Sequence, residues 1–272
     1  MRIIIVSFLC YNLLGAEEIK KSRARRLTND LKAEPGEFPY TASILRFGDH
    51  LCGAVLISKR HLVTAAHCIH DKDPGGYGSS IPVAELKIAL GTVNLADRTT
   101  GQIIGVLRTS IHPNYTYTIV PDAGINDIGM ITLKNPVKIT DTVKPIALPF
   151  PLQEVPLNTP LIISGFGSRF LGDPMPMTTL RKMTLFTVSQ QDCQNDWKHR
   201  YIYPTHLCAR YKRGYTGCQG DSGGPLTMNG QVLIGIFSEG DDAGCGTGVA
   251  DVFTKVSYFI DWIKSEMKPK LI

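Results

Sequence analysis

The sequence predicts an all-β fold built from two barrels, and three observations lead to that prediction. Beyond residue 26 the chain consists mostly of apolar runs of strand length, many of them rich in β-branched residues. Gly, Pro, Asn and Asp separate these runs, as expected of turns between strands. Only two segments, both short, favour a helix. A chain of 272 residues with this pattern has room for two barrels.

The predicted strands recur along the chain and are separated by Gly, Pro, Asn and Asp. Examples occupy residues 40–47, 54–57, 86–90, 103–107, 128–133, 161–165, 232–237 and 249–256. We expect a first barrel over about residues 40–140 and a second over about residues 157–256. The Pro-rich segment 140–156 is the predicted linker between the two barrels.

The helix predictions rest on capping and on amphipathic spacing. Ser257 precedes Tyr-Phe-Ile-Asp-Trp-Ile-Lys, which predicts a capped C-terminal helix over about residues 257–267. A second, short helix is expected within residues 190–201.

The N-terminal residues have the pattern of a secretory signal peptide. Arg2 precedes an apolar stretch over residues 3–14, and Gly15-Ala16 follow it. The stretch is too short to span a bilayer comfortably. We therefore predict a signal peptide over residues 1–16 and a secreted, extracellular protein with no membrane partner. A buried N-terminal strand is the alternative interpretation.

The formal net charge of +5 comes mostly from the N-terminal segment. Residues 1–26 contain six basic and two acidic residues, so they account for +4 of that charge and leave +1 on residues 27–272. The remaining chain is nearly neutral, which gives no reason to expect nucleic acid or an anionic membrane as a partner.

The cysteine count indicates disulfides. Of the seven cysteines, Cys10 falls in the predicted signal peptide, which leaves an even number in a secreted chain. Sequence alone leaves their pairing open. No close Cys/His ligand spacing appears, so no metal site is expected.

Residues 218–226 read Cys-Gln-Gly-Asp-Ser-Gly-Gly-Pro-Leu and place Ser222 among glycines. Glycine lets the backbone adopt angles that side chains forbid, so such a segment can turn its N–H groups toward one point beside the hydroxyl. That arrangement suits a nucleophile with an oxyanion hole. A Gly-rich surface turn that happens to contain a serine is the alternative.

Two further motifs lie upstream of Ser222. Leu-Val-Thr-Ala-Ala-His-Cys places His67 at the end of an apolar strand, and Asn-Asp-Ile-Gly-Met-Ile places Asp127 at the head of another. Either residue alone is more often structural than catalytic. The order His67, Asp127, Ser222 resembles the chymotrypsin-type serine proteases, and the resemblance extends from Leu27 to the C-terminal helix.

The resemblance implies a fold and a chemistry. The fold would be two six-stranded antiparallel β-barrels with the active site between them and a C-terminal α-helix. His67 would be the general base, Asp127 would hold its imidazole, and the N–H groups of Gly220 and Ser222 would form the oxyanion hole. No cofactor is implied. The implied disulfides are Cys52–Cys68, Cys193–Cys208 and Cys218–Cys245.

The resemblance also implies activation by proteolysis. In the family, the residue at Asp221 pairs with a new α-amino group, and the basic run 23–26 offers a cleavage site after Arg26. Residues 17–26 would then be a propeptide, and residues 27–272 a protease domain that starts at Leu27. The sequence Leu-Thr-Asn-Asp departs from the usual Ile-Val-Gly-Gly. A solvated basic run is the alternative interpretation of residues 23–26.

The predicted substrate pocket departs furthest from the family pattern. Thr216 stands where trypsins place an aspartate, Gly240 leaves the pocket mouth open, and Asp251 replaces a glycine of the pocket floor. We expect Thr216 to be able to donate a hydrogen bond to Asp251, because a buried carboxylate is costly without one.

Residues 238–240 match the strand that pairs with the substrate backbone. Ser238 matches a family serine that hydrogen-bonds the triad acid, and Glu239 replaces a tryptophan. With Asp241 and Asp242, Glu239 would form either an acidic rim or part of a solvated loop.

Two further predictions concern the first barrel. Asn114 begins the single glycosylation sequon. Thr92 replaces the first carboxylate ligand of the calcium loop of trypsins, so we expect no calcium there.

Together these features predict a secreted serine endopeptidase that is made as a zymogen, with chymotrypsin-like or broad specificity. Its partners would be protein or peptide substrates, protein protease inhibitors and an activating protease, and the chain would act as a monomer. One alternative is a trypsin-like processing protease with strict basic specificity. The other is an inactive binding module of the same fold.

Overall fold

Strands dominate the computed structural model, which describes residues 31–71, 78–116, 124–168, 172–173, 178–211, 217–241 and 244–269. Within these residues the strands are β1 (Leu31–Lys32), β2 (Thr41–Arg46), β3 (Asp49–Leu56), β4 (His61–Thr64), β5 (Leu86–Leu90), β6 (Gln102–Ile111), β7 (Gly129–Leu133), β8 (Pro160–Gly165), β9 (Arg181–Thr187), β10 (His206–Arg210), β11 (Pro225–Met228), β12 (Val232–Glu239) and β13 (Asp251–Lys255). The helices are α1 (Gln190–Asp196) and α2 (Ile260–Glu266). The predicted signal peptide and propeptide lie outside the described residues.

The first barrel closes in the order β2-β3-β4-β7-β6-β5, with antiparallel neighbours throughout. Its interior is filled by β-branched and leucine side chains that are fully buried, among them Ile44, Leu62, Ile88 and Ile131. Because this barrel is closed, none of its strands has an unpaired edge. The apolar side chains of each strand can therefore point into the barrel interior.

The second barrel closes in the order β8-β9-β10-β13-β12-β11, because β11 and β9 both pair with β8. β1 pairs antiparallel with β9 and is an additional strand that is not part of the closed barrel. The core contains Leu161, Leu185, Leu226 and Phe253, all completely buried. The predicted class, two six-stranded antiparallel barrels with a C-terminal helix, is confirmed.

Two stretches lie outside the barrel strands. No strand of the described residues occurs between Leu133 and Pro160, the stretch that contains the predicted linker over residues 140–156. α1 begins after Ser189, whose hydroxyl accepts a hydrogen bond from the Asp192 N–H at 2.9 Å.

The predicted cap at Ser257 is wrong. Ser257 lies in a 3-10 turn, Val256–Tyr258, and α2 begins only at Ile260. The Ser257 hydroxyl is buried and has no hydrogen-bond partner among the described residues. Ile260 and Ile263 pack into the core cluster of the first barrel, so the C-terminal helix connects back to the first half of the chain.

The six remaining cysteines form three disulfides, Cys52–Cys68, Cys193–Cys208 and Cys218–Cys245. These are the pairs that the resemblance implies. In the described part of the chain no helix is long and apolar enough to cross a membrane.

Candidate active site

Ser222 lies in a tight turn between β10 and β11. Gly220 and Gly223 flank it with φ angles of 92° and 78°, a region that only glycine enters without strain. The Asp221 N–H donates to the Cys218 carbonyl at 3.0 Å, and the Ser222 carbonyl accepts from the Gly53 N–H at 2.7 Å. The serine turn is therefore bonded both to its own loop and to β3 of the first barrel.

The contact between the serine turn and the first barrel leaves no room for side chains. A Cβ at Gly223 would lie 2.2 Å from the Thr64 hydroxyl and 2.4 Å from the Gly53 carbonyl oxygen. A Cβ at Gly53 would lie 2.7 Å from the Gly224 backbone. Glycine is required at these positions because two backbones meet directly, and that meeting fixes Ser222 in the cleft between the barrels.

His67 follows β4 in a 3-10 turn, Ala66–Cys68. Its Nδ1 lies 2.7 Å from Asp127 Oδ2, and its backbone N–H donates to Asp127 Oδ1 at 3.0 Å. Because a carboxylate only accepts, Nδ1 carries the proton and Nε2 is the basic nitrogen of the neutral ring.

Asp127 is almost completely buried, with 1% exposure, and lies two residues before β7. Its Oδ2 also accepts a hydrogen bond from the Ser238 hydroxyl at 2.6 Å, and its carbonyl accepts from the Thr254 hydroxyl at 2.7 Å. Burial raises the pKa of Asp127, but the charge of His67 and the hydrogen bonds from His67 and Ser238 outweigh burial and lower it below the ordinary value. The acid is therefore ionised and holds the imidazole in one orientation.

β3 links the histidine to the serine. Cys68, next to His67, is disulfide-bonded to Cys52, and the following residue, Gly53, donates to the Ser222 carbonyl. The segments that carry His67 and Ser222 are therefore neighbours, and Asp127 is hydrogen-bonded to His67.

The N–H groups of Gly220 and Ser222 donate to no described residue. A half-buried histidine orients the peptide before Asp221: His50 Nε2 lies 2.9 Å from the Gly220 carbonyl oxygen, and His50 Nδ1 lies 2.7 Å from the Ser43 hydroxyl. Burial lowers the pKa of His50 more than the Gly220 bond raises it, so the ring is neutral. No sequence motif predicts this role of His50, because nothing within a strand marks a histidine that reaches the other barrel.

Asp221 is held behind the serine turn. Its Oδ1 accepts from the Gly167 N–H at 2.9 Å and its Oδ2 from the Cys218 N–H at 3.0 Å. A Cβ at Gly165 would lie 2.1 Å from Oδ1, so this carboxylate fits only against glycine. Arg26 and Leu27, its predicted activation partners, lie outside the described residues.

Asp251 is completely buried at the start of β13. Oδ2 accepts from the Gly217 N–H at 2.7 Å, whereas Oδ1 has no partner among the described residues. A Cβ at Gly240 would lie 3.6 Å from Oδ1, so this oxygen faces the predicted pocket mouth. Burial, helped by the charge of Asp221, raises the pKa of Asp251 well above its ordinary value. The predicted donor, Thr216, lies outside the described residues.

Glu239 does not form the predicted acidic rim, because its carboxylate makes an ion pair with Arg200. The Arg200 guanidinium also lies 5.3 Å from the centre of the Trp197 ring. Arg200 follows α1 and is remote from Glu239 in sequence, so the sequence did not predict this ion pair. Asp242 lies outside the described residues.

Asn114 and Thr92 lie on the surface of the first barrel. Asn114 is exposed in a turn after β6, and the Thr92 hydroxyl donates to the Asn94 carbonyl at 3.0 Å. Among the described residues the one compact group of potential metal ligands is Cys52, His67 and Cys68, and its two sulfur atoms are joined in a disulfide.

Comparison with known proteins agrees with this geometry. The Trypsin family model matches residues 28–263. Chymotrypsin-2 of Vespa crabro is 34% identical over 232 residues, which are 85% of this chain and 95% of that protein. Duodenase-1 of Bos taurus is 35% identical over 254 residues, 90% of each chain.

Two solved structures have the same fold. Neuropsin, a serine protease expressed in the limbic system of mouse brain, superposes with a TM-score of 0.73 at 31% identity, over 88% of this chain and 99% of that one. Human heparin binding protein superposes with a TM-score of 0.74 at 26% identity, over 90% of this chain and 99% of that one. The chain therefore belongs to the trypsin family of serine endopeptidases.

Proposed function

We propose that this chain is a secreted serine endopeptidase, made as a zymogen, in which Ser222 is the nucleophile. The hydrogen-bonded series from Ser238 through Asp127 to His67, next to the serine turn, is the observation that carries the proposal. It supplies what a serine hydroxyl needs, which is an oriented neutral base.

The reaction has two halves. The Ser222 hydroxyl attacks the scissile carbonyl carbon while its proton passes to His67 Nε2. The intermediate collapses to an acyl-enzyme as His67 gives that proton to the leaving amine. Water then attacks the acyl-enzyme with the same proton transfers through His67, and the carboxylic acid product is released. Asp127 stays ionised throughout and stabilises the imidazolium, in agreement with its lowered pKa.

The oxyanion would be bound by the N–H groups of Gly220 and Ser222. Such donors are each worth about 10²–10³-fold in turnover. The bonds that hold Asp221 behind the serine turn support a role for this carboxylate in shaping that site. Cleavage after Arg26 by another protease would supply the Leu27 ammonium as its counter-ion.

The pocket supports an apolar, chymotrypsin-like preference with secondary cleavage after basic residues. Burial raises the pKa of Asp251 well above its ordinary value and so favours an uncharged pocket floor in the free enzyme. A bound Lys or Arg side chain would stabilise the ionised form, since Oδ1 is a buried oxygen without a partner among the described residues. A strict trypsin-like specificity is the alternative.

The setting and the partners follow from the same proposal. Three disulfides support an extracellular location, and exposed Asn114 supports glycosylation. We expect a monomer that acts on proteins or peptides and is blocked by protein protease inhibitors. The binding-module alternative has one observation in its favour, the structural similarity to a protein named for binding heparin. The hydrogen bonds of Asp127 with His67 and Ser238 support the enzyme instead.

Reaction with a sulfonyl fluoride reagent tests the proposal. The activated protein should take up one equivalent at Ser222, and Ser222→Ala should lose both labelling and peptide hydrolysis. Full labelling without hydrolysis of any peptide would favour the binding module, and labelling at another residue would refute the site.

A further inference from the structure

Five cationic side chains lie together on the outer surface of the first barrel, away from the active-site cleft. We define this basic face by Lys59, Arg60, Lys87, Lys134 and Lys138, all of which are exposed. They come from the turn before β4, from β5 and from the segment after β7. The near-zero net charge of residues 27–272 conceals this local excess.

Backbone hydrogen bonds place the segments of the basic face side by side. The Val137 N–H donates to the Lys59 carbonyl and the Leu133 N–H to the Arg60 carbonyl, both at 2.8 Å. On its other side the same segment donates from Lys134 N–H to the Gly105 carbonyl of β6 at 2.9 Å. β6 in turn pairs with β5, which carries Lys87.

Lys87 and Lys134 meet over one glycine. Lys87 is the cross-strand partner of Gly105, so both residues point to the same face of the sheet. The Lys134 side chain lies across Gly105, with Cδ 3.2 Å from where a Cβ would stand. Lys87 and Lys134 therefore share one small area of the sheet, and like charges at neighbouring positions repel each other unless an anion is present.

No carboxylate of the described chain compensates these charges. The turn 58–61, β5, β6 and the segment 133–139 contain no acidic residue. Of the neighbouring acids, Glu85 is paired with Arg46, Asp141 with Lys144 and Glu266 with Arg108. None of the five cations of the basic face forms an ion pair within the described residues.

Exposed apolar side chains are interspersed with the cations. Ile103 and Leu107 of β6 are 48% and 54% exposed, on either side of Gly105, and Ile139 next to Lys138 is 41% exposed. A sulfated polysaccharide has no apolar side chains that could contact these residues. A peptide with apolar and acidic side chains can contact both the cations and the apolar residues.

We infer that the basic face is an interaction surface for an acidic polypeptide segment that also carries apolar side chains, on a protein substrate or partner. The inference does not depend on the proposed catalytic function. The positive charges would attract the acidic segment over a distance, and the exposed apolar residues of the basic face would contact its apolar side chains.

The test uses the full chain with Ser222→Ala, so that the probe is not cut. The probe is a fluorescein-labelled peptide of four Glu-Glu-Leu repeats, and its binding is followed by anisotropy at several salt concentrations. We expect saturable binding that weakens steeply with salt. The double variant Lys87→Glu/Lys134→Glu should weaken it at least tenfold, and the milder Lys87→Gln/Lys134→Gln several-fold if the first fails to fold.

The matched control is Lys32→Glu/Lys198→Glu, which changes two exposed lysines outside the basic face by the same charge. It should bind the probe within about twofold of the parent. Equal losses in both double variants would show a general charge effect and overturn the inference.

The apolar component has its own test. A probe of Glu-Glu-Ser repeats should bind at least threefold more weakly, and Ile103→Ser/Leu107→Ser should remove that difference. Tight binding of a heparin fragment with indifference to the leucines of the probe would contradict the inference and point to a polysaccharide. Absence of binding at low salt would also refute it.

Discussion

Replacing Asp251 with asparagine separates charge from shape at the pocket floor. The asparagine side chain would keep the size of the aspartate and an oxygen for the Gly217 N–H, which now bonds Oδ2 at 2.7 Å. It would remove the ionised form that only a bound cation makes favourable. The variant Asp251→Asn should therefore lose cleavage after Lys and Arg and keep cleavage after Phe, Tyr and Leu.

The expected magnitude follows from two opposing contributions. A substrate cation about 4 Å from Asp251 would gain about 4 kcal/mol at an effective dielectric constant of about 20. Ionising Asp251 costs about 1.4 kcal/mol for each unit by which its pKa exceeds the pH of the assay, and this cost reduces the gain. We take the net effect to be that of a charge-assisted hydrogen bond, about 1.5–3 kcal/mol. The kcat/KM for Lys and Arg substrates should fall roughly 10- to 150-fold.

The assay compares kcat/KM for matched peptide p-nitroanilides that differ only in the residue before the scissile bond. Phe and Leu substrates should stay within about threefold, because apolar burial of about 1.5–3 kcal/mol per side chain does not need the charge. Asp251→Gly should likewise lose basic cleavage and keep or improve aromatic cleavage. Equal losses for all substrates, or a wild-type profile confined to Lys and Arg, would refute the reasoning.

The same substitution has a stability signature. Because folding raises the pKa of Asp251, the stability this carboxyl contributes is fully present below its unfolded pKa and is lost as the pH rises through its folded pKa. Asp251→Asn should therefore melt above the wild type at alkaline pH, and the advantage should vanish in acid. Each kcal/mol corresponds to about 2–4 °C in a protein of this size. A difference that does not vary with pH would contradict the assignment.

Three further predictions concern activation, the triad and the contact between the barrels. Arg26→Gln should stay latent, and N-terminal sequencing of active wild type should begin at Leu27; an active form with an intact propeptide would falsify this. Ser238→Ala should lower kcat/KM about tenfold, and more at acid pH, because the lost hydrogen bond holds down the pKa of Asp127; an unchanged pH profile would argue against this role. Gly223→Ala should lower the melting temperature by about 6 °C or more, since its Cβ would meet Thr64 and backbone at a φ of 78°. Gly48→Ala, with φ of 102° and nothing within 4 Å, is its control and should melt much closer to wild type.

The sequence predicted the strands that bury apolar residues on both faces, such as β7 and β12. It did not mark β9, Arg181–Thr187, because the first residues of this strand are mostly half-buried and show no alternation of apolar and polar side chains. Pairing with β8 and β10 determines its conformation. The Ser257 cap failed for a related reason. Packing of Ile260 and Ile263 against the first barrel, rather than local capping, determines where α2 begins.

In the candidate site, too, the residues marked by local motifs could be predicted, and those placed by tertiary contacts could not. Short motifs predicted His67, Asp127 and Ser222, because the residues next to them in sequence also hold them in place in the structure. Contacts between distant segments left no such signal. The His50 bond to Gly220 and the Arg200 pair with Glu239 each join residues of different elements, and only tertiary structure brings them together.

Trapping the acyl-enzyme identifies the nucleophile. Mixing activated protein with a p-nitrophenyl ester should give a burst of p-nitrophenol equal to the enzyme concentration, and acid quenching should leave one acyl group on the peptide that contains Ser222. Ser222→Ala should show neither burst nor adduct. A burst that survives in Ser222→Ala, or an adduct on another residue, would contradict the account.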